Sequence, residues 1–108
     1  MMETEIKVVQ NNQFFTLDFT LAANDGTAID LTGSTIVIEI QNTSKTSLKF
    51  TGQMVITDAI NGKCKYIVQP GDFDQPGKYY GQIKVTFANN EILTFTDLLI
   101  RALPELPK

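Results

Sequence analysis

Along much of the chain apolar and polar residues alternate one by one. Phe15, Leu17, Phe19 and Leu21 share one parity while Thr16, Asp18 and Thr20 take the other, the period of a strand with one buried face. The pattern returns in Ile36, Ile38 and Ile40 against Val37, Glu39 and Gln41, and in Cys64, Tyr66 and Val68 against Lys65 and Ile67. It returns again in Tyr79, Gly81, Ile83, Val85 and Phe87 against Tyr80, Gln82, Lys84 and Thr86. Weaker strands are predicted at residues 6–9, 48–51, 54–57 and 92–101. The last needs a bulge if Phe95 and either Leu98 or Ile100 are both to face inward.

Turn residues separate these segments: Asn24-Asp25-Gly26, Gly33, Asn42-Thr43-Ser44, Asn61-Gly62, Pro70-Gly71-Asp72, Gln75-Pro76-Gly77 and Asn89-Asn90. Asn61-Gly62 is the strongest hairpin signal, because a type I′ turn requires positive φ at both central residues and Asn-Gly supplies that at low cost. It predicts a hairpin joining residues 55–57 to 64–66. No window holds an apolar period near 3.6, and β-branched and aromatic residues crowd the strands. The fold class is all-β.

Composition narrows this picture. At 108 residues the chain has the size of one domain and too little length for a second core; residues 1–103 are read as that domain and 104–108 as a short Pro-containing tail or the start of a linker. Hydrophobic residues make up 43% and charged residues 19%, the balance of a folded globular chain. The net charge is -3 and the Lys and Arg residues are scattered, so neither nucleic acid nor an anionic membrane is an expected partner. No apolar run approaches the roughly 20 residues of a membrane-spanning helix. Residues 1–7 lack the apolar stretch of a signal peptide, and cytoplasmic synthesis is expected. Cys64 stands alone, so no internal disulfide forms. In a strand its neighbours Lys63 and Lys65 point to the opposite face, which makes Cys64 a core residue rather than an activated thiol.

The segment Gln75-Pro76-Gly77-Lys78-Tyr79-Tyr80-Gly81 bears on the choice between sandwich and barrel. In immunoglobulin-type domains a Tyr two residues before the second Cys bonds back across a corner between strands. Tyr79 precedes Gly81 by that interval, with Pro76 and Gly77 forming the turn, so Tyr79, Pro76 and Gly77 are the candidate structural corner and Gly81 takes the Cys position. A simpler reading makes Tyr79 an inward aromatic after a Pro-Gly turn. No Trp is present for the usual core site. The expectation is an immunoglobulin-like β-sandwich of seven to eight antiparallel strands without a disulfide.

Three stretches in order, residues 28–36 (Ala-Ile-Asp-Leu-Thr-Gly-Ser-Thr-Ile), 55–63 (Val-Ile-Thr-Asp-Ala-Ile-Asn-Gly-Lys) and 76–83 (Pro-Gly-Lys-Tyr-Tyr-Gly-Gln-Ile), resemble the N-terminal domain of upper baseplate proteins of tailed phages infecting Gram-positive bacteria. The resemblance implies an immunoglobulin-type sandwich that anchors a larger, oligomeric baseplate or tail-fibre protein to the virion, with receptor binding left to a downstream domain. It implies other tail and baseplate proteins as partners, a homo-oligomer, synthesis in the bacterial host cytoplasm and a final location in the virion. The sequence ends at Lys108, after Leu103-Pro104-Glu105-Leu106-Pro107, and is read either as a fragment or as a small protein that keeps the structural module.

Equipment for catalysis is sparse. The absence of His removes the commonest general base, the Ser-His and Cys-His pairs and most zinc sites. Asp72 and Asp74, with Asp58 at another corner, are read as turn-capping carboxylates rather than a calcium site or an acid/base pair. Asp25 and Asp30 are read as hairpin chemistry. Gly62, Gly71, Gly77 and Gly81 make no phosphate loop. No catalytic, cofactor-binding or metal-binding residue is assigned, no cofactor is expected, and the chain is not read as an enzyme.

Phe14 and Tyr80 fall on the outward parity of their strands and form the candidate interaction surface, for protein contact, structural cover or sugar stacking. The expected function is a structural phage virion component that assembles or anchors by protein–protein contact. The alternative is a carbohydrate-binding or adhesion module.

Overall fold

A computed structural model describes residues 4–9, 14–23, 25–41 and 47–103, with the backbone alone considered for residues 4–9 and 97. Among them lie eight strands and no helix: β1 (Thr4–Val9), β2 (Thr16–Thr20), β3 (Thr35–Gln41), β4 (Leu48–Gln53), β5 (Val55–Asp58), β6 (Lys63–Ile67), β7 (Gly77–Thr86) and β8 (Ile92–Leu103). They form a five-stranded sheet in the order β1-β8-β7-β3-β4 and a three-stranded sheet in the order β2-β6-β5. The fold is the β-sandwich that the alternation predicts. Every pair is antiparallel except one, since β1 runs parallel to β8 with Thr4 opposite Leu98 and Val9 opposite Leu103. The turns at Asn24 and at residues 42–44, and the tail at 104–108, lie outside the described residues.

The inward parity supplies the core. Leu17, Phe19 and Leu21 from β2 and its continuation meet Ile36, Ile38 and Ile40 from β3, Cys64 and Tyr66 from β6, and Tyr79, Ile83 and Val85 from β7, all buried. Each large apolar side chain among them contributes about 1.5–3 kcal/mol by leaving water. Burial also pushes the Cys64 thiol up to about 11, which leaves it protonated and inert at neutral pH. In β8, Phe95, Leu98 and Ile100 are all buried. Gly81 opposes Leu98 whereas Ile83 opposes Phe95, so the extra β8 residue is taken up by the bulge that the parity required.

Two core residues come from the connections between predicted strands. Leu31, between β2 and β3, is fully buried, and its amide donates to the Ala59 carbonyl at 2.9 Å. Phe73, between β6 and β7, is equally buried and sits edge-on to Phe50 and Tyr79 at centroid distances of 5.4 and 5.2 Å. Neither stands in an alternating run long enough to mark it.

The β5–β6 hairpin forms where Asn61-Gly62 predicts it, with Val55 opposite Lys65 and Ile56 opposite Cys64. Its turn is not type I′. Gly62 has φ +71 but Asn61 is not in the positive-φ region, and the loop closes through the Gly62 amide on the Ala59 carbonyl at 3.1 Å. Asp58 pairs with Lys63, so residues 59–62 make a four-residue loop where a type I′ turn needs two. Gly62 is required there by crowding as well as by its φ, since a Cβ on it would lie 2.4 Å from the Leu21 carbonyl oxygen.

Asp25 and Asp30 each fold a local turn by accepting from the backbone amide two residues on, Thr27 at 2.9 Å and Thr32 at 3.0 Å. The Thr27 amide holds the Asp25 carboxyl below the usual range, and the Thr32 hydroxyl, then its amide, do so for Asp30.

The position that carries a cystine in antibody domains is closed in another way. A Cβ on Gly81 would meet Ile40 Cδ1 at 2.4 Å and the Glu39 carbonyl oxygen at 2.9 Å. The second contact is backbone and cannot move aside cheaply. Gly81→Ala is therefore expected to destabilise the fold by about 1–3 kcal/mol through overpacking, measured by urea unfolding against the wild type.

Candidate interaction surface

Tyr66 and Asp72 form the main polar contact inside the sandwich. The Tyr66 hydroxyl donates to Asp72 Oδ2 at 2.5 Å, and the Gln69 amide donates to the same oxygen at 2.8 Å. Asp72 is almost wholly buried, so these donors replace the water it has lost. The Tyr66 ring lies against Gly52 of β4, where a Cβ would come within 2.3 Å of Cε1, and stacks on Phe50 with centroids 5.7 Å apart. Burial first, then the Asp72 carboxylate, pushes the Tyr66 phenol well above its ordinary range. The alternation shows Tyr66 inward and turn chemistry shows Asp72 as a cap; the one sign in the sequence of their pairing is that a buried phenol requires an acceptor.

At the adjacent corner the Tyr79 hydroxyl donates to the Gln75 carbonyl at 2.8 Å, across Pro76 and Gly77. Lys49 of β4 reaches the same region, donating to the Gly71 carbonyl at 2.7 Å and lying 3.4 Å from Asp74. Asp72 and Asp74 are thus spent on different partners. Asp58 accepts instead from the Asn61 side chain in the β5–β6 loop at 2.8 Å.

Phe14 and Tyr80 are not brought together. Tyr80 is half-buried on the outward face of the five-stranded sheet, opposite Leu99. It borders a depression of about 320 Å³ shared with Glu39, Gln41, Leu48 and Gln82. Gln82 donates to Glu39 at 2.7 Å and Lys84 pairs with the same carboxylate at 3.7 Å, so this face is polar at its centre. Phe14 lies outside β2, 64% exposed, on the side of the three-stranded sheet. Its amide donates to the Val68 carbonyl at 2.6 Å, and the Val68 amide donates to the Phe15 carbonyl at 2.9 Å. Two residues therefore oppose one in a bulge whose first position, Phe14, has φ +61. That position ordinarily belongs to Gly. The two aromatics make separate surfaces and no common stacking platform.

The sheet order, with β2-β6-β5 facing β8-β7-β3, is that of an immunoglobulin-like sandwich in which β1 and β4 extend the second sheet. Within that class the chain belongs to the BppU N-terminal domain family, a phage baseplate upper protein domain, whose family model matches residues 2–103. Among solved structures it is similar to CopC from Methylosinus trichosporium OB3b, with a TM-score of 0.59 and 12% identity over 96% of this chain and 88% of that one. At that identity the likeness concerns the fold. No curated protein matches the chain.

Two outcomes follow from this geometry. Phe14→Gly is expected to be more stable than Phe14→Ala by about 1 kcal/mol, because only Gly occupies the left-handed region without strain, and chemical denaturation of the pair measures it. Tyr66→Phe is expected to cost about 1–3 kcal/mol at neutral pH by removing a donor from buried Asp72. Because the folded state raises the Tyr66 pKa, the stabilisation is full below the unfolded value near 10 and is lost as pH rises beyond it. The alkaline fall in stability should be shallower in Tyr66→Phe than in the wild type.

Proposed function

We propose that this chain is a structural module of a phage baseplate or tail that works by binding other tail proteins and by anchoring what it is attached to. The carrying observation is membership of the baseplate domain family across residues 2–103. The geometry supports this reading, because the side chains capable of chemistry are spent on holding the sandwich: Cys64 is buried, Asp72 bonds Tyr66, and Asp74 pairs with Lys49. The sandwich is a rigid platform whose sheet faces, edges and loops are left to meet partners. Synthesis belongs to the bacterial host cytoplasm and the final location to the virion, where the chain takes part in an oligomeric assembly. No catalytic role is assigned.

The test is co-expression with the tail and baseplate proteins encoded beside it, followed by light scattering of the purified material and mass spectrometry of particles. A defined complex, and a fixed copy number in particles, is the expected result. A strict monomer that joins none of these proteins and is missing from particles would overturn the reading.

A further inference from the structure

The chain leaves the five-stranded sheet at the end of β4 and enters the three-stranded sheet at the start of β5 with only Met54 between them. Among the described residues, that crossing leaves the outer edge of β4 and the end of β6 beside β5 without a strand partner. The Met54 amide donates to the Ile36 carbonyl at 2.8 Å. By the alternation of an antiparallel ladder, Phe50 and Gly52 then bond to β3, while the N–H and C=O groups of Thr51 and Gln53 point away from it. Across the sandwich, the Leu21 amide donates to the Gly62 carbonyl at 2.8 Å, which fixes Cys64 and Tyr66 as the residues bonded to β2. Lys63 and Lys65 turn to β5, and Ile67 turns the same way beyond the point where β5 begins, its carbonyl accepting from the Gln69 side chain at 3.1 Å. Between the two half-edges lies a notch of about 300 Å³ bordered by Thr51, Gln53, Val55, Tyr66, Ile67 and Gln69.

We propose that this notch and the outer edge of β4 receive an extended, uncharged segment of a partner protein, which adds as a strand beside β4. The proposal deepens the assembly reading above and rests on it. Outward-pointing N–H and C=O groups spaced along a strand are matched by another extended backbone. The residues bordering the notch carry no charge, so side chains seated there are aliphatic or neutral polar. Other edges are guarded in the ways that discourage pairing. β2 presents exposed Asp18, β5 is four residues long and ends in exposed Asp58, and the β1 segment contains Glu5 and Lys7. β4 carries one charge, Lys49, whose amine is held on the Gly71 carbonyl and beside Asp74, and from Phe50 to Val55 there is neither charge nor Pro. A second copy pairing β4 to β4 is the poorer occupant. A six-residue edge is about 20 Å long at ~3.4 Å per residue, and contact along it covers far less than the roughly 800 Å² per partner of a stable interface. An extended segment lying along both β4 and the notch adds side-chain burial to the backbone bonds.

The probe is an acetylated and amidated Thr-Val-Thr-Val-Thr-Val peptide, titrated into the ¹⁵N-labelled chain and followed by amide shifts. Shifts concentrated at Thr51, Gln53 and Ile67 are expected. In Thr51→Pro the binding should weaken about three- to tenfold, one hydrogen bond being lost. Pro is tolerated there because the missing N–H faces outward, and unchanged thermal unfolding confirms that the variant folds. Gln53→Lys is the second variant, placing a charge at the neutral notch, and is expected to weaken binding similarly. Three results would each overturn the proposal: shifts at β2 or β5 instead, equal affinity in the folded variants, or wild-type self-association through Thr51 and Gln53. Since no phage protein takes part in the titration, its failure leaves the assembly reading standing, and a failed assembly test leaves the titration result intact.

Discussion

Tyr66 joins the parts of this sandwich that the backbone ladders do not connect. It belongs to β6 in the three-stranded sheet, yet its ring lies on Gly52 and Phe50 of β4 in the other sheet, and its hydroxyl reaches Asp72 in the β6–β7 connection. Gly52 is what allows the approach, because a side chain there would occupy the space of the ring. The contact closes one open flank of the sandwich and holds the aromatic cluster of Phe50, Phe73 and Tyr79 against the core. A buried phenol bonded to a buried carboxylate is a demanding contact, since loss of either partner leaves the other without its donor or acceptor in a dry site.

The same flank is where the surface becomes informative. With Tyr66 drawn onto β4, the chain can change sheets across the single residue Met54. The short β5 that results leaves Ile67 beyond its reach. Packing inside and the β4 edge left open among the described residues therefore have one origin. This domain of the baseplate family is a platform whose shape is set by packing. Phe14 shows a different economy: an exposed aromatic is held in a left-handed conformation at the far sheet, where Gly would be easier.

Much of the fold was legible in the residue order. Alternation located β2, β3, β6 and β7 and their inward residues, and the clash of parity between Phe95 and Leu98 announced the β8 bulge. These readings succeed because strand periodicity is a local property, fixed by the chain geometry within a few residues. The interaction surface was less legible. Phe14 and Tyr80 were identified as outward aromatics, but parity does not say on which sheet a strand lies, and the structure sets them on different ones. The parallel pairing of β1 with β8 was hidden for the same reason.

By itself, then, the amino-acid order determined an all-β chain with a known inward face, a Cys without a partner, a hairpin at Asn61-Gly62 and the resemblance to a baseplate domain. Tertiary structure decided the turn conformation at that hairpin, the recruitment of Leu31 and Phe73 into the core, the union of Tyr66 with Asp72, and the exposed half-edges around Met54. Each of the latter depends on contacts between segments distant in the chain, and such contacts exist only once both sheets have packed.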